Sequence, residues 1–331
     1  MSTPTIGVFD SGFGGLTVLR ELLPLIPGAH YIYLGDTARL PYGAKSQATI
    51  ARYAVESARF LEARGANLLV IACNTATALA LEDIREAISI PVVGVIEPGA
   101  HAALHAITTN LSSRPDHPKN LSSRPERSEV ERPASPPASP QVLVLATAAT
   151  VQSHAYRDTC ARLGLHATEM ACPLLVPLVE EGWTDHPVTR DVLRIYLTAA
   201  LTRCNPQAVL LGCTHYPLIA APIESMLREL GSSAIVIDSA QATAHATKEA
   251  LAKTLGHPVP QGPGNSQVPQ GFSLGSHSPE EIGAGSPGLK PGVSPATFEC
   301  FATDSIEKFQ RLGTQFLHHP ITNIQLLDIG G

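Results

Sequence analysis

The sequence predicts an α/β fold made of two similar three-layer domains with mostly parallel sheets. Short, continuously apolar segments alternate with segments of helical spacing along most of the 331 residues. Strands that are apolar along their whole length are typical of parallel sheets covered by helices on both faces. Hydrophobic residues make up 44% of the chain, enough for two such cores. Motifs that recur in the two halves indicate domains related by a pseudo-twofold axis, with a site in the cleft between them.

Seven segments are predicted as strands because each is a short apolar run bounded by turn-forming residues. In chain order they are TIGVFD, HYIYLGD, NLLVIAC, PVVGVI, VLVLAT, QAVLLGC and AIVID. The segment LTVLRELLPLI, after the first strand, has helical spacing. A longer helix is predicted over residues 47–64, and its apolar face carries Ile50, Ala54, Ala58 and Leu61.

Two stretches do not fit this alternation. Residues 111–140 are rich in Ser, Pro, Arg and Glu and contain NLSSRP twice, and residues 257–295 are rich in Gly, Pro and Ser. Such segments bury too little surface to offset chain entropy, so both are predicted to be disordered surface insertions. The repeated hexapeptide leaves a partner-binding role open as the alternative for the first stretch.

Corresponding motifs recur in the two halves of the remaining sequence. Strands of the first half end in DSGFGGLTV at Asp10 and in ACNTAT at Cys73, 63 positions apart. Strands of the second half end in ATAATVQS at Thr147 and in GCTHYP at Cys213, 66 positions apart. We expect residues 1–98 and 239–331 to form the first domain and residues 99–238 the second. Ligands of open α/β sheets bind beyond the carboxyl ends of the strands, where both cysteines are placed.

Composition excludes several classes of function. The net charge of −6 is spread along the chain without a basic stripe, so nucleic-acid binding has no electrostatic basis. No apolar run reaches the ~18 residues that a membrane span needs. The first residues lack the charged and apolar regions of a signal peptide, so we expect a cytoplasmic protein whose partner is a small molecule.

Two of the six cysteines stand in matching contexts. Each ends an apolar strand and precedes two polar residues, as in Cys73-Asn74-Thr75 and Cys213-Thr214-His215. A helix N-terminus or a nearby histidine lowers the pKa of a thiol, which suits a general base near neutral pH. An isolated cysteine is more often a small buried hydrophobe, which is the interpretation for Cys160, Cys172, Cys204 and Cys300. No disulfide is expected in a reducing cytoplasm.

Two loops accompany these cysteines, and no cofactor signature does. DSGFGG, from Asp10, lets the backbone approach a ligand closely, but it fits neither a phosphate loop nor a dinucleotide fingerprint. Asp10 alone is equally explained as a helix cap. GDTARLPYG, Gly35–Gly43, is either a connecting loop or part of a site. No lysine has a pyridoxal phosphate setting and no residues have metal-ligand spacing, so neither cofactor nor metal is predicted.

Taken together, the motifs resemble glutamate racemases of the aspartate/glutamate racemase family. The resemblance rests on DSGFGGLTV, GDTARLPYG, ACNTAT, Thr147-x-x-Thr150, PLVEEG and GCTHYP. It implies two α/β domains with the active site between them and cofactor-independent interconversion of L- and D-glutamate. It also implies an isomerase of peptidoglycan biosynthesis, and thus of cell wall biogenesis and cell shape. A homodimer is compatible with the resemblance, although the insertions put the family's dimer interface in doubt.

The resemblance also assigns roles to residues. Cys73 would act on D-glutamate and Cys213 on L-glutamate, each assisted by a neighbour. The assisting groups would be Asp10, His215 and Glu180, with Glu181 one position away as the alternative to Glu180. Contacts with substrate are implied for Asp10, Ser11, Tyr42, Gly43, Asn74, Thr75, Thr147, Thr150, Thr214 and His215.

A pair of cysteines suits racemisation because the proton must leave one face of the carbon and return to the other. One thiol must begin as thiolate and its counterpart as thiol. Three alternatives stay open at this point. They are a racemase of aspartate or another amino acid, an amino-acid-binding protein with an inactive site, and a cysteine hydrolase. In the hydrolase Cys213 would attack a carbonyl with His215 as base, which leaves Cys73 without a role.

Overall fold

A computed structural model of the chain describes residues 3–112, 139–256 and 296–329. Most of both predicted insertions, residues 113–138 and 257–295, lies outside the described residues. The first two positions assigned to the first insertion are helical, because the preceding helix continues to Ser112. No described helix is long and apolar enough to cross a membrane.

The described residues form two parallel sheets covered by helices. The larger sheet has six strands in the order β10-β9-β2-β1-β3-β4, all parallel. Its strands are β1 (Thr5–Asp10), β2 (His30–Gly35), β3 (Leu68–Ile71), β4 (Val92–Gly94), β9 (Thr297–Ala302) and β10 (Ile324–Leu326). The smaller sheet has four parallel strands in the order β6-β5-β7-β8. Its strands are β5 (Gln141–Ala146), β6 (His166–Ala171), β7 (Ala208–Gly212) and β8 (Ile235–Asp238).

The two sheets repeat one arrangement. The order β2-β1-β3-β4 of the first matches β6-β5-β7-β8 of the second, position for position. Asp10 at the end of β1 thus corresponds to Thr147 after β5, and Cys73 after β3 corresponds to Cys213 after β7. The predicted fold class of two similar α/β domains is confirmed. The domain limits predicted at residues 98 and 239 stay a prediction.

The helices cover both faces of the sheets. They are α1 (Leu16–Leu25), α2 (Gln47–Ala63), α3 (Asn74–Ala87), α4 (Ile96–Ser112), α5 (Ala148–Ser153), α6 (Ala155–Arg162), α7 (Leu175–Glu180), α8 (Pro187–Leu201), α9 (Ala220–Glu229), α10 (Ala240–Leu255) and α11 (Ile306–Leu317). Short 3-10 helices span Thr37–Arg39, Tyr42–Ala44 and Tyr216–Ile219. Helix α4 leads from the first sheet to the second and packs on α6, α10 and β7.

Packing follows the apolar pattern of the sequence. The predicted face of α2 is buried, and Ser46 caps this helix by accepting the N–H of Thr49. β3 and β7 are buried at every position, as expected for central strands. One buried cluster runs through both sheets, and a second fills the other face of the larger sheet. All seven predicted strands are present, whereas β6, β9 and β10 were not predicted.

Candidate active site

A pocket opens between the carboxyl ends of the two sheets. Its empty space is about 350 Å³, mouth included. The first sheet and its loops contribute Ser11, Leu40, Pro41, Tyr42, Gly43, Cys73, Asn74 and Thr75, and the second contributes Thr147, Val176, Cys213, Thr214 and His215. The two cysteines singled out from the sequence therefore face one pocket from opposite domains.

Cys73 lies at the N-cap of α3 and is almost fully buried. Its Sγ accepts the N–H of Ala76 at 3.4 Å, and its thiol donates to Oγ of Ser11, also at 3.4 Å. Burial, reinforced by the negative charge of Asp10, raises the pKa of the Cys73 thiol to about 12. The N–H of Ala76 at the helix N-terminus does lower this pKa, but the net shift is upward, opposite to the expectation. Desolvation of the thiolate outweighs the favourable contacts of Ser11 and Ala76.

Cys213 has a different set of neighbours. It is not a helix cap, since a turn and a 3-10 helix follow it before α9 begins. Its Sγ lies 3.9 Å from Nδ1 of His215, whose Nε2 lies 3.2 Å from Oε1 of Glu180. Oε2 of Glu180 in turn accepts from Nζ of Lys308 in α11, at 3.3 Å. A chain of four side chains thus leads from the thiol to the first domain's last helix.

The charged side chains next to His215 favour its protonated form. Burial alone lowers the pKa of His215, but the hydrogen bonds and charges of Cys213 and Glu180 outweigh it and raise the pKa to about 10. Burial of Glu180 works against its charged form, yet His215 and Lys308 keep its pKa below the ordinary value. Of the two adjacent glutamates, Glu180 is the one that contacts His215, while Glu181 is exposed.

Asp10 lies behind the pocket wall and has no exposed surface. Its Oδ2 accepts the N–H of Gly12 at 2.9 Å, and its Oδ1 accepts from the Thr214 hydroxyl at 3.4 Å. Burial raises the pKa of Asp10, opposed by the charge of His215 and by these hydrogen bonds. The carboxyl group thereby links the loop after β1 to the turn that follows Cys213.

Three threonine hydroxyls meet where the two domains face each other. Oγ1 of Thr75 lies 3.0 Å from that of Thr147 and 3.2 Å from that of Thr150. The Thr147 and Thr150 hydroxyls are 2.9 Å apart. Since a hydroxyl both donates and accepts, this cluster can turn its protons toward an anion such as a carboxylate.

Glycines permit the close approach of the domains. A Cβ on Gly14 would lie 2.7 Å from Cβ of Thr214 and 2.8 Å from Nδ1 of His215. A Cβ on Gly43 would lie 2.8 Å from Cβ of Thr147. Real Cβ atoms do not come this close, so side chains at these positions would push the domains apart.

Ten of the thirteen residues predicted for the site line the pocket, and three lie behind them. Asp10 and Glu180 contact pocket residues through Thr214 and His215, and Thr150 does so through Thr75 and Thr147. Sequence reasoning missed Leu40, Pro41 and Val176 of the pocket wall, and also Lys308, which contacts Glu180. Leu40 and Pro41 lie inside the GDTARLPYG motif and Val176 borders PLVEEG, so those motifs gave a signal.

No group of three metal-binding side chains is assembled anywhere in residues 3–112, 139–256 and 296–329. All six cysteines are free in the structure.

The fold defines a class of proteins with two similar α/β domains and a pocket between them. Comparison with known proteins identifies the particular family. The Asp/Glu/Hydantoin racemase family matches residues 6–112 and 134–247. The chain belongs to this family and is an amino-acid racemase.

Similar proteins support this assignment along the whole chain. The glutamate racemase of Koribacter versatilis is 46% identical over 99% of this chain and 98% of its own length. The crystal structure of glutamate racemase from Francisella tularensis in complex with D-glutamate superposes with a TM-score of 0.73 and 27% identity, covering 99% of each chain. The Thermus thermophilus glutamate racemase with β-chloro-D-alanine gives a TM-score of 0.69 at 33% identity, covering 98% of this chain and 96% of its own.

Proposed function

We propose that this protein is a glutamate racemase that interconverts L- and D-glutamate without a cofactor, using Cys73 and Cys213 as the two acid/base groups. The observation that carries the proposal is the convergence of one thiol from each domain on a single pocket. The names of the similar proteins support glutamate as the substrate. The motif resemblance supports the two-thiol mechanism.

The proposed reaction moves one proton off the α-carbon and another onto it. With L-glutamate bound, the Cys213 thiolate removes the α-proton and the Cys73 thiol delivers its proton to the opposite face. D-glutamate results, with Cys213 now a thiol and Cys73 a thiolate. The same steps run backwards for D-glutamate, so atoms and charge balance in both directions.

Neighbouring groups set the starting protonation states. A protonated His215, 3.9 Å from Cys213, stabilises negative charge on that sulfur. Cys73 holds its proton at rest because burial raises its pKa to about 12. Ser11 and Ala76 bond this sulfur and ease formation of the thiolate that remains once the proton has been delivered.

Stabilisation of the carbanion-like transition state falls to donors around the substrate carboxylate. We assign that work to the hydroxyls of Thr75 and Thr147, both of which line the pocket. The Thr214 hydroxyl gives its one proton to Asp10, so it offers the substrate only an acceptor. Leu40, Pro41 and Val176 give the pocket an apolar wall that suits the methylene groups of glutamate. Asp10 would hold Thr214 in place, and Glu180 would hold His215.

We place this activity in the cytoplasm, as the supply of D-glutamate for peptidoglycan. Expression of the gene in a bacterium that requires external D-glutamate tests this role. Growth without the supplement supports it, and growth that still depends on the supplement contradicts it.

Circular dichroism of glutamate incubated with the pure protein tests the catalytic proposal. With no cofactor added, the signals of L- and D-glutamate should each decay to zero. In heavy water the α-proton should exchange for deuterium. A panel with aspartate and other amino acids separates the related racemases. An active protein that ignores glutamate, or an acyl-enzyme trapped on Cys213, would contradict the proposal.

A matched control comes from the remaining cysteines. Cys204 is half-buried, and its thiol donates only to the backbone carbonyl of Ala200. Cys204→Ser should racemise glutamate at nearly the wild-type rate, while serine at position 73 or 213 should not. Equal loss in all three variants would mean that the effect is structural.

A further inference from the structure

A buried hydrogen bond joins the two domains beside the pocket, and the mechanism above makes no use of it. Tyr156 in α6 donates from its hydroxyl to Oδ1 of Asn74, the first residue of α3. Tyr156 has no exposed surface and Asn74 almost none. Asn74 also lines the pocket, so the bond ends on a residue of the site.

The other half of the Asn74 amide has no partner. Its Nδ2 is buried and forms no hydrogen bond with any of the described residues. A buried donor without an acceptor is costly, and native structures contain few of them. An unpaired N–H₂ group on a residue of the pocket wall therefore points to an acceptor on the bound molecule.

Tyr156 determines which end of the Asn74 side-chain amide has no hydrogen-bond partner. Burial raises the pKa of Tyr156 well above its ordinary value, so the hydroxyl keeps its proton and requires an acceptor. Oδ1 of Asn74 is that acceptor. Turning the amide over would set the tyrosine proton against an N–H₂ group, which cannot accept it. The hydroxyl thus fixes the amide oxygen on its own side and the nitrogen on the other.

We propose that Tyr156 is a positioning residue that presents the Asn74 amide N–H₂ group to a carboxylate of the substrate. The inference rests on the proposed racemase function, because it requires an acidic substrate in this pocket. Tyr156 itself contacts no substrate and acts only through Asn74. It also makes the donor available only when the two domains are together, since the two residues lie 82 positions apart in different domains.

Replacing Tyr156 by phenylalanine tests the role. Without the hydroxyl the amide turns freely, and we expect KM for glutamate to rise about tenfold, with kcat changed less. The dissociation constant of D-glutamate, measured by calorimetry in a Cys73→Ser background, should rise by the same factor. Tyr31→Phe is the matched control. It also deletes a buried hydroxyl, bonded to the carbonyls of Leu22 and Ile26, and should leave KM unchanged.

A double-mutant cycle separates positioning from a general structural effect. In an Asn74→Ala background, Tyr156→Phe should cause no further rise in KM, because the group it positions is gone. Additive effects would overturn the proposal. The wild-type rate in the same series tests the proposed function by itself. An active wild type with an additive cycle refutes the positioning role alone.

Asn74→Asp provides a second test in which Tyr156 is untouched. One carboxylate oxygen accepts from Tyr156, and the other replaces the N–H₂ group, so it repels the substrate carboxylate. This variant should bind D-glutamate more weakly than Asn74→Ala does. Binding at the wild-type level would show that an oxygen already faces the substrate, and the proposal would be wrong. This outcome decides the matter even if Tyr156→Phe proves unstable.

Discussion

Glu180→Gln is the substitution whose effect the structure defines most sharply. Glutamine keeps the shape of the side chain and removes its charge. Oε1 of Glu180 lies 3.2 Å from Nε2 of His215, and at an effective dielectric constant near 20 two unit charges at that distance attract by about 5 kcal/mol. Lys308, 3.3 Å from Oε2, also attracts this carboxylate and so weakens the electrostatic stabilisation that Glu180 gives to His215.

Glu180→Gln should lower kcat/KM because it lowers the pKa of His215. Burial lowers its pKa, while Cys213 and Glu180 raise it to about 10, so the wild-type ring is protonated at neutral pH. Without the Glu180 charge, burial is opposed less strongly and the pKa of His215 falls. If roughly half of the attraction is lost from the transition state, kcat/KM falls about a hundredfold, which is about 2.7 kcal/mol. The loss should be greatest in alkaline solution and should shrink as the pH falls.

The assay is kcat/KM for glutamate between about pH 5 and pH 9, because the pKa of His215 falls in the variant from about 10 towards the ordinary value of 6.5. Enantiomers have equal free energies in water, so kcat/KM must be the same from both directions in every variant, which checks the data. Glu181→Gln is the matched control, because this neighbour is exposed. A Glu180→Gln enzyme with the wild-type pH profile, or a larger loss in Glu181→Gln, would refute the reasoning.

Three further outcomes are expected. Cys73→Ser and Cys213→Ser should each abolish racemisation. A glutamate analogue with a leaving group should still undergo elimination, as the L form in Cys73→Ser and as the D form in Cys213→Ser. Full racemisation by either variant would disprove the two-thiol mechanism. Thr75→Val keeps the volume but removes a hydroxyl of the threonine cluster, so kcat/KM should fall tenfold or more, about 1.4 kcal/mol, and unchanged kinetics would exclude this residue from the site. Gly14→Ala should strongly reduce activity by forcing the domains apart. Gly65 lies in open space at φ 92°, so Gly65→Ala should lower Tm and leave activity unchanged. An active Gly14→Ala enzyme would contradict the close approach of the two domains at Gly14.

Most of the fold could be predicted from patterns within short stretches of the sequence. Continuously apolar strands are visible in the sequence because parallel sheets bury both of their faces. β6 was missed because it lies at a sheet edge, where polar residues such as Thr168 and Glu169 fit, and only one of its six positions is fully buried. β9 and β10 follow residues 257–295, and β10 has only three residues, too few for a periodic pattern.

Side chains that act through distant contacts left no trace in the sequence. Lys308 is an ordinary lysine on a helix until α11 brings it to Glu180, 128 positions away. Tyr156 reads as one aromatic residue in a short helix, although its hydroxyl reaches Asn74 in the other domain. The pKa of Cys73 was predicted in the wrong direction because the helix N-terminus is visible in the sequence, whereas complete burial of the sulfur is not.

The two halves of the site correspond in position but differ in chemistry, and the difference serves the proposed reaction. Matching strands place the two cysteines at equivalent points, yet identical surroundings would give neither sulfur a preference for the proton. Two thiols would offer no base, and two thiolates would have no proton to deliver. The negative charge of Asp10 and burial keep Cys73 protonated, while the cation of His215, held by Glu180, stabilises negative charge on Cys213. Under the proposed roles, this difference lets one sulfur act as the acid while the other acts as the base.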